Sequence, residues 1–141
     1  MYKKQKIVKY NFFQAVLIDR TLYISGQLGM DPNTMEIVEG GVVEEAIQAL
    51  KNMHMILKRA QSDFTDVVKT TILLKSIKDF QAVNEIYSQC FTTDMPARAA
   101  FEVSSKKQGN QARLVLSQDS FGIINDYVKI HQLYHVKIHQ C

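Results

Sequence analysis

The chain has 141 residues, 46% of them apolar and 22% charged. That is enough to bury a single domain's core and excludes a disordered tail as the whole story. Its longest apolar runs, Ala15-Val16-Leu17-Ile18 and Ile72-Leu73-Leu74, fall far short of the roughly eighteen residues a membrane span requires, so a transmembrane protein is ruled out and no membrane partner is expected. The net charge of +3 is local: Lys3, Lys4, Lys6 and Lys9 precede the first acidic residue, Asp19, and the remaining 13 basic and 14 acidic residues give −1. A neutral body argues against a surface that tracks nucleic-acid phosphates.

The lysine arm reads as a loose, solvated terminus. Ala15–Ile18 and Thr21–Ser25 are β-prone runs around the polar pair Asp19-Arg20, the pattern of a hairpin. Asp31-Pro32-Asn33-Thr34 is a turn and Glu39-Gly40-Gly41 a second break. Val43, Ala46, Ile47, Leu50, Met53 and Leu57 then repeat at three and four residues, which predicts a helix with one apolar face. Glu44 and Glu45 at its start and Lys58 and Arg59 at its end suit the helix dipole.

Val67–Leu74 is rich in β-branched residues and reads as a strand. Phe80, Val83, Tyr87 and Cys90 mark one face of a second helix, with Asp79 near its start and Pro96 as its stop. Ala99–Val103 and Leu114–Leu116 read as two closing strands. The order of two strands, helix, strand, helix and two strands makes an α+β domain of two layers, a mixed sheet with two helices on one face. It occupies residues 1–120. Residues 121–141 form a tail of different style, in which Val128-Lys129-Ile130-His131-Gln132 recurs as Val136-Lys137-Ile138-His139-Gln140; strand or disorder is the expectation there.

Few residues carry obvious chemistry. His131, His135 and His139 are spaced by four, which leaves metal ligation geometrically open, but a duplicated segment duplicates its histidines and no Asp, Glu or Cys accompanies them; no metal is expected. Cys90 and Cys141 are far apart with no C-x-x-C, so the chain is expected to be reduced and cytoplasmic, with mitochondrial, nuclear and peroxisomal pools also open. Phosphate-binding loops and a G-x-S-x-G elbow are absent. The informative patch is Met95-Pro96-Ala97-Arg98-Ala99-Ala100, a single Arg at a strand opening among small residues. Its fork fits a carboxylate, whether that of a ligand or that of Asp94 or Glu85 in a structural salt bridge.

Tyr23-Ile24-Ser25-Gly26-Gln27, Asp31-Pro32, Gly40-Gly41, Val67-Val68-Lys69-Thr70-Thr71, Val83-Asn84-Glu85-Ile86-Tyr87 and Pro96-Ala97-Arg98 occur in the order of the RidA/YjgF family. Over roughly residues 10 to 113 the chain resembles that family, and from Arg20 through Lys75 it looks especially like the animal members, also described as perchloric-acid-soluble translation-inhibitor ribonucleases. The resemblance implies a chorismate-mutase-like fold, a homotrimer with sites between subunits, no cofactor, and hydrolysis of 2-imino acids to 2-oxo acids and ammonia. It assigns the carboxylate grip to Arg98, strand-end contacts to Ser25 and Gly26, and a cleft-lining role to Asn84. Phe12 falls where a substrate-contacting Tyr is expected.

The acid/base Glu that ends the family's Ile-Glu-Ile-Glu strand has no counterpart, since Val115 and Ser117 are the residues that can align with it. Asp119 is the nearest carboxylate. General acid–base groups typically contribute about 10²–10⁴ in rate, so retained binding with slowed turnover is expected. Three readings follow in descending order. The first is an imine deaminase weakened by that loss, the second an inactive trimer that binds 2-oxo or 2-imino acids. An RNA-directed ribonuclease or translation inhibitor comes last, because the neutral body offers no basic groove.

Overall fold

A hairpin turning on Asp19-Arg20 starts the fold. Strands β2 (Phe12–Ile18) and β3 (Thr21–Gln27) pair antiparallel, Ile18 opposite Thr21 and Ala15 opposite Ile24. Asp19 takes a left-handed backbone (φ 52°), which a short polar side chain tolerates in a tight turn. Along β3, Leu22 and Ile24 are buried while Tyr23 and Ser25 are exposed, so one sheet face meets a core and the other does not. The computed structural model describes residues 4–9, 12–103 and 114–118.

The lysine arm is not loose. Residues Lys4–Lys9 form strand β1, antiparallel to β2 with Lys4 opposite Ile18 and Lys9 opposite Phe12, and with an irregularity between Ile7 and Val8. The hairpin leaves the outer edge of β2 with unpaired backbone groups, and the preceding residues satisfy them. Lysines then suit the new edge, where their charge discourages pairing with another chain.

Helix α1 (Val42–Arg59) covers the sheet with Ala46, Ala49, Leu50, Met53, Ile56 and Leu57, all buried. Gly40 and Gly41 precede it with φ of 106° and 92°, a backbone that other residues rarely adopt. At its far end Asp63 contacts both Lys58 and His54, and the Lys58 hydrogen bond holds its carboxyl below the usual carboxylate range. Strand β4 (Lys69–Leu74) alternates strictly, with Thr70, Ile72 and Leu74 against the helices. Helix α2 (Phe80–Cys90) ends well before Pro96. The expected proline stop is therefore corrected: the chain leaves the helix at Phe91 and turns through Asp94 (φ 49°). Phe91 itself is buried, stacked on Tyr87 at 4.3 Å and edge-on to Phe64 at 4.9 Å, so core packing rather than proline ends the helix.

Strand β5 (Ala97–Glu102) runs parallel to β4 and lies at the sheet edge; β6 (Leu114–Gln118) returns between β3 and β4, antiparallel to both. The sheet order is β1-β2-β3-β6-β4-β5, and the two helices share one face over a core that includes Leu17, Leu22, Ile72, Leu114 and Leu116. This is the mixed two-layer α+β architecture expected from the sequence. Among the described residues no helix is long and apolar enough to cross a membrane. The repeated tail with its three histidines, Cys141, Asp119 and the division of the chain at residue 120 lie outside the described residues.

Candidate active site

Three residues of α2, Phe80, Asn84 and Tyr87, stand four and three positions apart and so lie along one helix face. The parallel register of β4 and β5 pairs Thr70 with Arg98. Register partners in neighbouring strands share a sheet face, and Thr70 is fully buried on the helix side. Arg98 therefore rises on that same side, at the open edge, against α2.

The guanidinium carbon lies 4.8 Å from the Tyr87 ring centroid and 5.4 Å from that of Phe80. Its Nη1 donates to Asn84 Oδ1 at 2.6 Å. Aromatic faces attract the cation and the amide oxygen fixes its rotation, so the group is oriented while remaining exposed. Below it, the hydroxyls of Tyr87 and Thr70 share a buried hydrogen bond of 2.7 Å. Burial pushes the Tyr87 phenol above its ordinary value, a shift that the Thr70 bond and the Arg98 charge partly oppose. Cys90, on the same helix, is a free thiol likewise pushed up by burial.

Arg98 makes no ion pair among the described residues; the two found there both belong to Asp63. The structural salt bridge to Asp94 or Glu85 left open by the sequence is not formed. One N–H of five is committed to Asn84, which leaves donors for both oxygens of a carboxylate.

Ser25 and Gly26 sit at a different place. Between Ile24, opposite Gln118, and Gln27, opposite Leu116, β3 holds one residue more than β6, a bulge of the kind that re-aims strand ends. Gln27 turns back into the core and its Nε2 donates to Ser25 O at 2.9 Å. Phe12 opens β2 and, because β2 and β3 are antiparallel, belongs to the same end of the sheet as Gly26. From β3 to β5 there are three strand spacings, about 14 Å at some 4.8 Å each. The structure thus brings Arg98 and Asn84 together and keeps Ser25, Gly26 and Phe12 apart from them within one chain. What sequence reading missed is the aromatic bed of Arg98; the spacing of Phe80, Asn84 and Tyr87 carried the signal, but the parallel register that sets Arg98 upon it did not show. Ser117 and Val115, the two positions that can align with the family's acid/base Glu, pair with Thr71 and Leu73 in the ladder between β6 and β4. Among the described residues no group of three His, Cys, Asp or Glu is placed to hold a metal.

A mixed sheet, two helices on one face and an oriented edge-strand Arg with no ion pair among the described residues define a two-layer α+β protein whose Arg could receive a small carboxylate. The sequence model of the family described as Endoribonuclease L-PSP matches residues 3–112. The human protein named 2-iminobutanoate/2-iminopropanoate deaminase is 58% identical over 103 residues, 73% of this chain and 75% of its own. Among solved structures, RidA from the Antarctic bacterium Psychrobacter sp. PAMC 21119 superposes with a TM-score of 0.71 at 34% identity, covering 80% of this chain and 89% of its own. Escherichia coli TdcF, solved with bound serine, superposes with a TM-score of 0.69 at 25% identity, covering 79% and 87%. The chain belongs to this family, the RidA/YjgF family.

Proposed function

We propose that the protein hydrolyses 2-imino acids such as 2-iminobutanoate and 2-iminopropanoate to 2-oxo acids and ammonia. The observation that carries the reading is Arg98, oriented by Asn84 and two aromatic rings yet free of any carboxylate among the described residues. Relatives 53–58% identical bear the deaminase name, and a more distant one was solved with serine, a ligand carrying the same type of carboxylate. In the proposed reaction Arg98 takes the substrate carboxylate in two hydrogen bonds. Water adds to the imine carbon, the carbon–nitrogen bond breaks, and nitrogen leaves as ammonia with the protons that water supplied. Ser25 and Gly26 hold the imine end, Asn84 fixes the Arg, and Phe12 lines the cleft.

Since Arg98 and the Ser25–Gly26 bulge cannot meet within one chain, a site containing both is built between copies. A homotrimer meets that need. It also offers cover for the sheet face opposite the helices, where Tyr23 and Phe101 are 40% and 55% exposed. Neither Val115 nor Ser117 supplies a carboxylate to activate water, so turnover is expected to be about 10²–10⁴ below that of a relative carrying one.

Incubation with a threonine dehydratase and threonine, following 2-oxobutanoate and ammonia, tests the activity. Acceleration over the dehydratase alone supports it, and none at stoichiometric protein rejects it. Sedimentation should give three times the mass of the chain; a monomer would dismantle the shared site. The second reading, a trimer that binds these acids without turning them over, is favoured by the absent carboxylate and predicts 2-oxobutanoate binding that Arg98→Ala abolishes. The RNA-directed reading has the least support, because beyond residue 9 the chain carries a net charge of −1.

A further inference from the structure

The segment leaving the Ser25–Gly26 bulge is held by α1 in a way that neither the core nor the proposed chemistry accounts for. Asn52 Nδ2 donates to two main-chain carbonyls, Leu28 O at 3.1 Å and Met30 O at 2.9 Å, more than twenty residues away in sequence. Its Oδ1 accepts from Gln48 Nε2 at 2.9 Å, which sets which end of the amide faces the loop. Between the two carbonyls, Gly29 lies so close to α1 that a β-carbon there would stand 2.4 Å from Glu45 Cα. Glu45, Gln48 and Asn52 are three and four residues apart, one strip of the helix surface. On the strand side the clamp is continued by Gln27, whose amide holds Ser25 O across the bulge.

A helix needs no polar amide in its strip to pack on a sheet; an apolar residue of similar size would fill the volume. What an amide supplies here is direction. Two carbonyls of an irregular segment are pinned to one nitrogen, only two residues beyond Gly26. We propose that Asn52 is a positioning residue, clamping the 28–30 segment so that the Ser25–Gly26 strand end is held in the geometry that receives the imine. The proposal rests on the deaminase reading and extends it to a residue on the helix face beside the end of β3, away from the Arg98 edge.

Asn52→Leu removes both donors while keeping the size, and Asn52→Asp keeps the acceptor for Gln48 but sets an anion against two carbonyls. In the full-length protein, with thermal unfolding confirming the folded state at assay temperature, both variants should retain the stoichiometry and affinity of 2-oxobutanoate in calorimetry, since Arg98 is untouched. Their kcat should fall on the order of 10²-fold, the loss that a misplacement of about 1 Å can cause, with KM unchanged. Unchanged kcat would overturn the proposal, and so would a fall in kcat matched by an equal fall in binding stoichiometry, which is the mark of a merely structural role. Amide hydrogen exchange separates this from failure of the deaminase reading. Even in a protein without turnover, Asn52→Leu should speed exchange at Gly26, Gln27 and Met30 while β5 amides keep the parent rate. Equal rates at both places would refute the clamp by itself.

Discussion

Replacing Arg98 by Lys keeps the charge and removes the fork, and the geometry fixes what is lost. The guanidinium carbon lies 4.8 Å from the Tyr87 ring centroid and 5.4 Å from that of Phe80, and the group gives one N–H to Asn84 and keeps enough donors for both oxygens of a carboxylate. A lysine ammonium at that edge is a point donor, so a ligand carboxylate loses one of two charge-assisted bonds, about 1.5–3 kcal/mol. Weaker contact of the cation with the rings removes about 0.5–1 kcal/mol more of the site's preorganisation. Together these come to about 2–4 kcal/mol, or roughly 30- to 700-fold in affinity.

Calorimetry with 2-oxobutanoate measures the loss directly, with 2-butanone, which lacks the carboxylate, as the reference ligand. The parent should bind the acid and ignore the ketone; Arg98→Lys should bind the acid weakly and the ketone no differently. Arg98 is exposed and forms no ion pair among the described residues, so the unfolding midpoint should scarcely move. If Arg98→Lys binds the acid as tightly as the parent, the carboxylate is held elsewhere and the assignment of the site to the β5 edge is wrong.

Other outcomes follow from the same geometry. Tyr87→Phe leaves the buried Thr70 hydroxyl without its partner and should cost about 1–3 kcal/mol in denaturant unfolding, whereas the Thr70→Val, Tyr87→Phe double variant should recover most of that, because no polar group is then stranded. Burial raises the Tyr87 phenol, so the folded chain keeps its proton while the unfolded chain loses it above about pH 10; that stability is complete below this value and lost as pH climbs through the folded one. The alkaline slope should therefore be shallower in Tyr87→Phe. Gly29→Ala drives a β-carbon into the backbone of α1 at Glu45 and should lower stability by at least about 1–3 kcal/mol in the same assay. Ser117→Glu restores a carboxylate at one of the two aligned positions and should raise kcat by up to about 10²–10⁴ without changing 2-oxobutanoate affinity; no gain there and none in Val115→Glu would show that β6 is not where water is activated.

The parts of the fold that were legible in the sequence are those written as local periods. Asp19-Arg20 between alternating runs gave away the hairpin, and the apolar faces of α1 and α2 showed in Val43 to Leu57 and Phe80 to Cys90. Strand β1 was hidden because its lysines are what an edge strand and a free terminus both want, and its pairing depends on an edge that exists only once the hairpin has formed. The place of β6 between β3 and β4 is equally non-local, since nothing in five residues tells which neighbours they will meet. The site shows the same division. Arg98 and Asn84 could be named from motifs, and their contact follows from a helix face and a parallel register. The aromatic bed and the Asn52 clamp could not, because each joins residues whose spacing acquires meaning only after the helices lie on the sheet.

That division bears on how a family site can lose one half and keep the other. To the core β6 gives Leu114 and Leu116, buried among residues from β4 and both helices, and to its neighbours it gives a backbone ladder that links β3 to β4. Neither contribution depends on which side chain stands at 115 or 117, so a carboxylate can vanish from either position with no demand on the core. Arg98 is different. Its rings and its amide partner are Tyr87, Phe80 and Asn84, and Tyr87 is tied to the buried Thr70 and packed on Phe91 inside the core. The bed that orients the carboxylate grip is thus part of what holds α2 to β4, and it persists for reasons of stability. On the proposed reading, a chain of this kind drifts most easily toward binding without rapid turnover, a state that the Ser117→Glu variant is expected to reverse.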